Sequence, residues 1–204
     1  MNQETVKKRL SSEERQGEII RVAVELAADK GVDSVTTQDM ADAMKLTQGA
    51  IFRHFATKDD IWFAVIEWVR DRLMKVLDKA AAEATDPLDA IERMYFAHIA
   101  FISKHPAIPR LLFSELLHKK NSKLRQLIQG IISGYENKVA GLLEEAKARS
   151  MVPEHIDSQS AAVLYIGMIQ GLVMQSSIFG GKRALQQEAH KTFPIFLYGI
   201  KTRS

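Results

Sequence analysis

No cysteine occurs among the 204 residues, which excludes disulfides, thiol catalysis and thiolate metal sites. Also missing are a phosphate-cradling glycine loop, a nucleophile elbow and a His-Glu-x-x-His pair, so nothing assembles a reactive centre and no enzyme is expected. No cofactor or metal is expected either. Glu115-x-x-His118 sets a carboxylate and an imidazole on adjacent turns, but no third and fourth ligand accompanies them, and a surface ion pair accounts for the spacing. Met1 to Leu10 is polar and basic with no apolar run, so no signal peptide is expected. The most apolar segment, Ala161 to Met174, is short for a bilayer span and is interrupted by Gln170, which predicts no membrane helix and a cytoplasmic protein. A dominant charge is absent too: residues 1–58 hold nine Lys and Arg against nine Asp and Glu. Any attraction to an acidic partner must therefore come from where the cations sit, not from their number.

What is present is helical periodicity with clear punctuation. Ser11-x-x-Glu14 is a capping box, in which the Ser hydroxyl and the Glu carboxylate each satisfy a backbone N–H that the helix start leaves unpaired. It opens a segment carrying Ile19, Ile20, Ala23, Val24, Leu26 and Ala27 at helical spacing up to Gly31, a residue suited to a left-handed helix stop. Thr36-x-x-Asp39 is a second box, followed by Met40, Ala41 and Met44 on one face. Lys45-Leu46 make a turn, and Thr47 caps a further short helix with Ala50, Ile51 and Phe55 as its buried stripe. Gln48, Gly49, Phe52, Arg53 and His54 are left outward. A third box, Thr57-x-x-Asp60, starts a long helix through Trp62, Val65, Val69, Leu73 and Leu77. Two short helices across a tight turn, the second opening with outward polar residues, are the layout of a helix-turn-helix.

The side chains on that face suit DNA. The Gln48 amide matches the N6 and N7 edge of adenine, and the Arg53 fork matches O6 and N7 of guanine; Gln38, at the front of the preceding helix, is a third candidate reader. Arg53 is equally suited to a phosphate. Thr37, Thr47, His54 and Lys58 stand where hydroxyls, helix starts and cations attract phosphates, although Thr37 and Thr47 also serve as caps and His54 also closes a helix. Gly49 lets the helix sit close in the groove. Lys7-Lys8-Arg9 make a short basic arm, compatible with the minor groove and with a solvated terminus.

The order of these elements resembles the tetracycline-repressor (TetR) family of bacterial transcriptional regulators. The resemblance rests on Ala23-x-x-Leu26-x-x-x-x-Gly31, Thr36-Thr37-x-Asp39-x-Ala41 and Gly49-Ala50-Ile51-Phe52-Arg53-His54-Phe55 followed by Lys58, within about a quarter of the chain. It implies a DNA-binding domain over 1–57, a helical regulatory and dimerisation domain over 58–204, and a homodimer that binds a pseudo-palindromic operator and is released by a small effector. One departure stands out. The family usually carries Tyr where this chain has Phe52, which can pack against a sugar but has no hydroxyl for a phosphate.

Beyond Lys75 no strand alternation appears, and an all-α chain of about nine helices is expected. Asp86-Pro87 starts one helix, His105-Pro106 ends it, a short one follows over Leu111 to His118, and a longer one runs from about Ser122 to Arg149. The last two helices are expected at about 157–179 and 183–200. The first of these is apolar all round, through Val163, Leu164, Ile166, Met168, Ile169, Leu172, Val173 and Met174, so more than one side must be covered. Gly167-x-x-x-Gly171 lets another helix come close, with Phe193, Ile195, Phe196 and Leu197 offering apolar cover. Core packing and a subunit interface both satisfy this pattern, and the resemblance implies a four-helix dimer interface. Tyr95, Phe96, His98, Phe101, Phe113, Glu115, Tyr165, Met168, Gln170 and Met174 are the residues expected around an effector cavity, and the same composition describes a packed core. Few charges among them suit a hydrophobic or amphipathic effector. Two other readings share parts of this pattern: a DNA-bound protein that organises the chromosome, and a helical lipid-binding protein that would not need the polar face at Gln48 to His54.

Overall fold

The computed structural model describes residues 11–109, 111–112, 123–180 and 184–202. Among them the chain is all-helical, with eight α-helices, one 3-10 turn and no strand. The helices are α1 (Ser12–Lys30), α2 (Thr37–Met44), α3 (Gln48–Phe52), α4 (Lys58–Ala82), α5 (Pro87–Lys104), α6 (Lys123–Ala148), α7 (Ser158–Ile178) and α8 (Leu185–Ile200). Residues 107–109 and 111–112 are also helical, so the short helix expected from Leu111 begins earlier, and the remainder of it lies outside the described residues. The chain divides into two compact units, one ending at Glu67 and the other beginning at Trp68.

Caps set the starts in the first unit. In α1 the Glu14 amide donates to Ser11 Oγ at 3.1 Å and the Ser11 amide donates to Glu14 Oε2 at 2.7 Å. The same exchange joins Thr36 with Asp39 at the start of α2, and Thr57 with Asp60 at the start of α4. Asp39 is also gripped by Lys30 at 2.7 Å, and that ammonium together with Thr36 holds its carboxyl far below the usual range. Gly31 has φ 82° and ψ 148°, not the left-handed helical stop expected; positive φ with extended ψ is open only to glycine, and it turns the chain directly into the 3-10 turn Val32–Ser34. Lys45 supplies the left-handed residue between α2 and α3, at φ 56°. Ile19, Ala23, Met40, Ala41 and Ile51 are fully buried where α1, α2 and α3 meet.

In the second unit α5, α6, α7 and α8 pack in a closed ring, each against the next and α8 against α5. Every one of the four contributes an aromatic residue to the middle. Tyr95 (α5) lies 5.6 Å from Tyr165 (α7) and 4.8 Å from Phe193 (α8), while Tyr135 (α6) lies 5.8 Å from Tyr165, measured between ring centres. The hydroxyls are paired in a defined order. Tyr165 donates to the Ile91 carbonyl at 3.1 Å, so Tyr135, 3.1 Å away, donates to Tyr165; Thr192 donates to Glu188, so Tyr95 donates to Thr192. Burial pushes the pKa of all three phenols up and keeps them neutral.

α7 corrects one expectation. Its 21 helical residues extend past Ala161–Met174 at both ends and carry no charge, making it the one described helix long and apolar enough to cross a membrane. Its Ala162, Tyr165 and Ile169 are nevertheless buried within the ring, as core residues. Phe193 and Phe196 also belong to that core and are not available as cover for another subunit. The apolar residues that α7 and α8 leave exposed are Val163, Leu164, Met174, Ile178, Ile195 and Tyr198.

Candidate nucleic-acid interface

The second helix of the motif is shorter than its sequence pattern suggests. α3 ends at Phe52, and Arg53 forms its C-cap, so Arg53 and His54 sit in the turn that follows and not on the helix itself. Thr47 accepts the Ala50 amide at 3.3 Å and fixes the N-terminus of α3, where Gln48 and Gly49 are exposed. Phe52 is 42% exposed, a large apolar ring left open to solvent beside Arg53. Arg53 is exposed and Lys58 half-buried, and among the described residues neither has a carboxylate within ion-pair distance. A cation without an internal partner keeps its full charge for an external one.

The remaining site residues are tied to the protein. Gln48 Nε2 donates to Thr37 Oγ1 at 2.7 Å, and Thr37 is buried at 8% exposure. Gln38 Nε2 donates to Asp42 Oδ1 at 2.7 Å, one turn further along α2. The His54 carbonyl accepts from Gln16 at 3.3 Å, and its Nδ1 lies 3.3 Å from the Ser12 hydroxyl. If that hydroxyl donates, Nε2 of the neutral ring carries the proton and is the donor left for a phosphate. The structure thus brings Thr37, Thr47, Gln48, Gly49, Phe52, Arg53 and His54 into one short stretch around α3, with Gln38 on α2 and Lys58 opening α4. The Thr37–Gln48 bond spans eleven residues and no spacing rule announces it.

The expected effector residues are distributed differently. Tyr95 and Tyr165 are fully buried against each other, and Phe101, 7% exposed, packs on His105. Phe96 packs edge-on to Tyr95 and stacks on His190 at 4.4 Å. Met168 is half-buried, whereas Gln170 and Met174 lie exposed on the outer side of α7. Phe113 and Glu115 lie outside the described residues, as do His118 and the basic arm Lys7-Lys8-Arg9. His98 is the exception within the core. Its Nδ1 is shielded from solvent and has no hydrogen-bond partner among the described residues, and burial pulls the imidazole down to about 4 although the residue as a whole is half-buried. A cleft of 310 Å³ lies instead among Ile102, Ser103, Pro106, Pro109, Val173, Ser176, Ser177, Gly180 and Leu185. The tyrosine and phenylalanine rings fill the centre of the ring of helices.

A three-helix unit with a capped, exposed second motif helix and two cations without an ion-pair partner among the described residues, joined to a larger helical unit, defines a helix-turn-helix DNA-binding regulator fold. Residues 19–65 match the model of bacterial regulatory proteins, tetR family. That stretch, which carries the helix-turn-helix, is of the TetR type. The nucleoid occlusion factor SlmA of Vibrio cholerae is 26% identical to it over 158 residues, 77% of this chain and 81% of that one. Among solved structures, the fatty acid degradation regulator FadR of Bacillus halodurans matches with a TM-score of 0.79 at 21% identity, covering 97% of this chain and 100% of its own. The FadR of Bacillus subtilis, in complex with stearoyl-CoA, matches at 0.78 and 21%, covering 90% and 98%. Both structures share the fold of the chain as a whole.

Proposed function

We propose that this protein is a homodimeric transcriptional repressor of the cytoplasm that binds a pseudo-palindromic operator and is released by a hydrophobic or amphipathic small molecule. The observation that carries the reading is the polar face around α3, with Gln48 exposed at a capped helix start and Arg53 and Lys58 without an ion-pair partner among the described residues. Gln48 and Arg53 are the base readers, with Gln38 beside them; Thr47, His54 and Lys58 anchor phosphates. One five-residue helix reads few base pairs, so two copies are needed to read two half-sites about 34 to 36 Å apart or a multiple of that. The exposed apolar residues of α7 and α8 supply a surface for the pairing, and Gly167 and Gly171 have open space where a side chain would stand, so a partner helix can approach. The stearoyl-CoA bound by the Bacillus subtilis FadR supports a long apolar effector, and the 310 Å³ cleft, where Ile102, Val173 and Leu185 stand beside Ser103, Ser176 and Ser177, suits an amphipathic one.

The effector acts only to the extent that it prefers a form of the dimer that binds DNA poorly, and linkage then makes operator DNA weaken effector binding by the same factor. A second reading has one observation in its favour. SlmA relatives, named as nucleoid occlusion factors, match along most of the chain, which supports a DNA-bound protein acting on the chromosome and not on a promoter. A genome-wide binding profile tests both. A few sites upstream of genes, lost on adding a long-chain acyl compound, are expected for the repressor; sites scattered through the chromosome without regard to promoters favour the second reading; binding with no sequence in common contradicts both.

A further inference from the structure

We propose that Thr37 is a positioning residue that sets the Gln48 amide for base reading, and not a phosphate contact; the inference rests on the DNA-reading function proposed above. Thr37 opens α2 and Gln48 opens α3, and the 2.7 Å bond from Gln48 Nε2 to Thr37 Oγ1 crosses the turn between them. At 8% exposure the threonine side chain has almost no surface with which to meet a phosphate. Gln48, in contrast, is exposed, and its backbone is fixed by the Thr47 cap.

The consequence is chemical. A glutamine amide has two N–H donors and one carbonyl acceptor. With one N–H spent on Thr37, the remaining N–H and Oε1 form a donor and acceptor pair, which is the complement of adenine N7 and N6–H in the major groove. Holding the side chain before DNA arrives also removes part of the ordering penalty that a long, rotatable side chain otherwise brings to binding. Gln38 is held differently. Its N–H goes to the carboxylate of Asp42 on an exposed helix face, with no buried group to fix it.

The test is selection from a random DNA library followed by affinity measurement on single-base variants of the best site, using the intact protein and the variants Thr37→Val and Thr37→Ser. Valine keeps the branched shape and removes the hydroxyl, while serine keeps the hydroxyl. Thr37→Val is expected to lower adenine preference about tenfold at one position of each half-site, in line with the loss of one good bidentate reader, and to leave the salt dependence unchanged. Thr37→Ser is expected to retain the preference, and Thr37→Val is expected to change nothing further in a Gln48→Ala protein. A uniform loss across all sites with a shallower salt dependence would mark a phosphate contact and overturn the proposal. Unaltered preference in Thr37→Val would overturn it as well. Absence of any preferred sequence for the unaltered protein would overturn the DNA-reading function itself.

Discussion

The two units of this chain are held by different kinds of interaction. In the unit ending at Glu67 each of α1, α2 and α4 is started by a reciprocal exchange between residues three apart, and the fully buried core is aliphatic, with Ile19, Ala23, Met40, Ala41, Ile51 and Ile61 in it. In the unit beginning at Trp68 the centre is made of Tyr95, Tyr135, Tyr165, Phe193 and Phe196, brought together from four helices across about a hundred residues of sequence. Short-range order suits a unit that must present a fixed face to a regular partner. Long-range aromatic packing suits one whose filling can vary while its helices keep their places, which agrees with a family model that matches residues 19–65 alone.

The sharpest way to break this comparison is to empty the aromatic centre. Phe193 is 1% exposed and touches Tyr95, Phe96 and Phe196, so Phe193→Ala is expected to lose about 3–5 kcal/mol of stability, read by denaturant unfolding. A loss below about 1 kcal/mol would show that the rings are not the structural centre of the second unit.

A smaller effect, dependent on pH, is expected from His98. Burial holds its folded imidazole at about 4, whereas an unfolded imidazole titrates near 6.5, so protons favour the unfolded chain between those values. Stability is therefore unaffected above about pH 7, falls as the pH drops from about 6.5 to about 4, and is lost by about 2 kcal/mol on going from pH 7 to 5. His98→Gln should remove that slope, as measured by unfolding at the two pH values. Asp39 acts in a different window. Its depressed carboxyl adds stability above the ordinary carboxylate range and loses it below, so it leaves the interval from pH 5 to 7 to His98.

The smallest effect belongs to the first unit. Thr36→Ala removes the hydroxyl that caps α2 and is expected to lose about 1 kcal/mol, with the helix frayed at the front of the reading motif. Hydrogen exchange of the Asp39 and Met40 amides would register it, and unchanged protection there would show that the cap is redundant.

Legibility in the sequence followed the same division. Ser11–Glu14, Thr36–Asp39 and Thr57–Asp60 all form the exchanges their spacing predicts, because a capping box is decided by atoms three residues apart. Asp86 with Pro87 and Asp157 likewise start α5 and α7 as their residue types require. Gly31 was recognisable as a stop, but its ψ depends on the turn that follows. The length of α3 was not legible either, since Arg53 and His54 continue a helical pattern while His54 is drawn to Gln16 and Ser12 on α1. Periodicity on α7 was uninformative for another reason: a helix apolar on all sides does not say which side meets the core, so Gln170 and Met174 were expected inward and lie outward. The Thr37–Gln48 bond and the chain of hydrogen bonds from Tyr135 through Tyr165 to the Ile91 carbonyl join residues apart in sequence, and only the folded chain displays them.

The central claim is that the face around α3 separates into residues that read bases and residues that hold phosphates. Affinity measured on every single-base variant of the selected operator, for the unaltered protein and for Gln48→Ala, Arg53→Ala and Lys58→Ala, tests it most directly. Gln48→Ala and Arg53→Ala are expected each to lose about 1 to 3 kcal/mol and to relax preference at different base positions, whereas Lys58→Ala weakens all sequences alike and makes the salt dependence shallower by about one unit of slope. A uniform loss for all three variants, with every base preference intact, would contradict the claim.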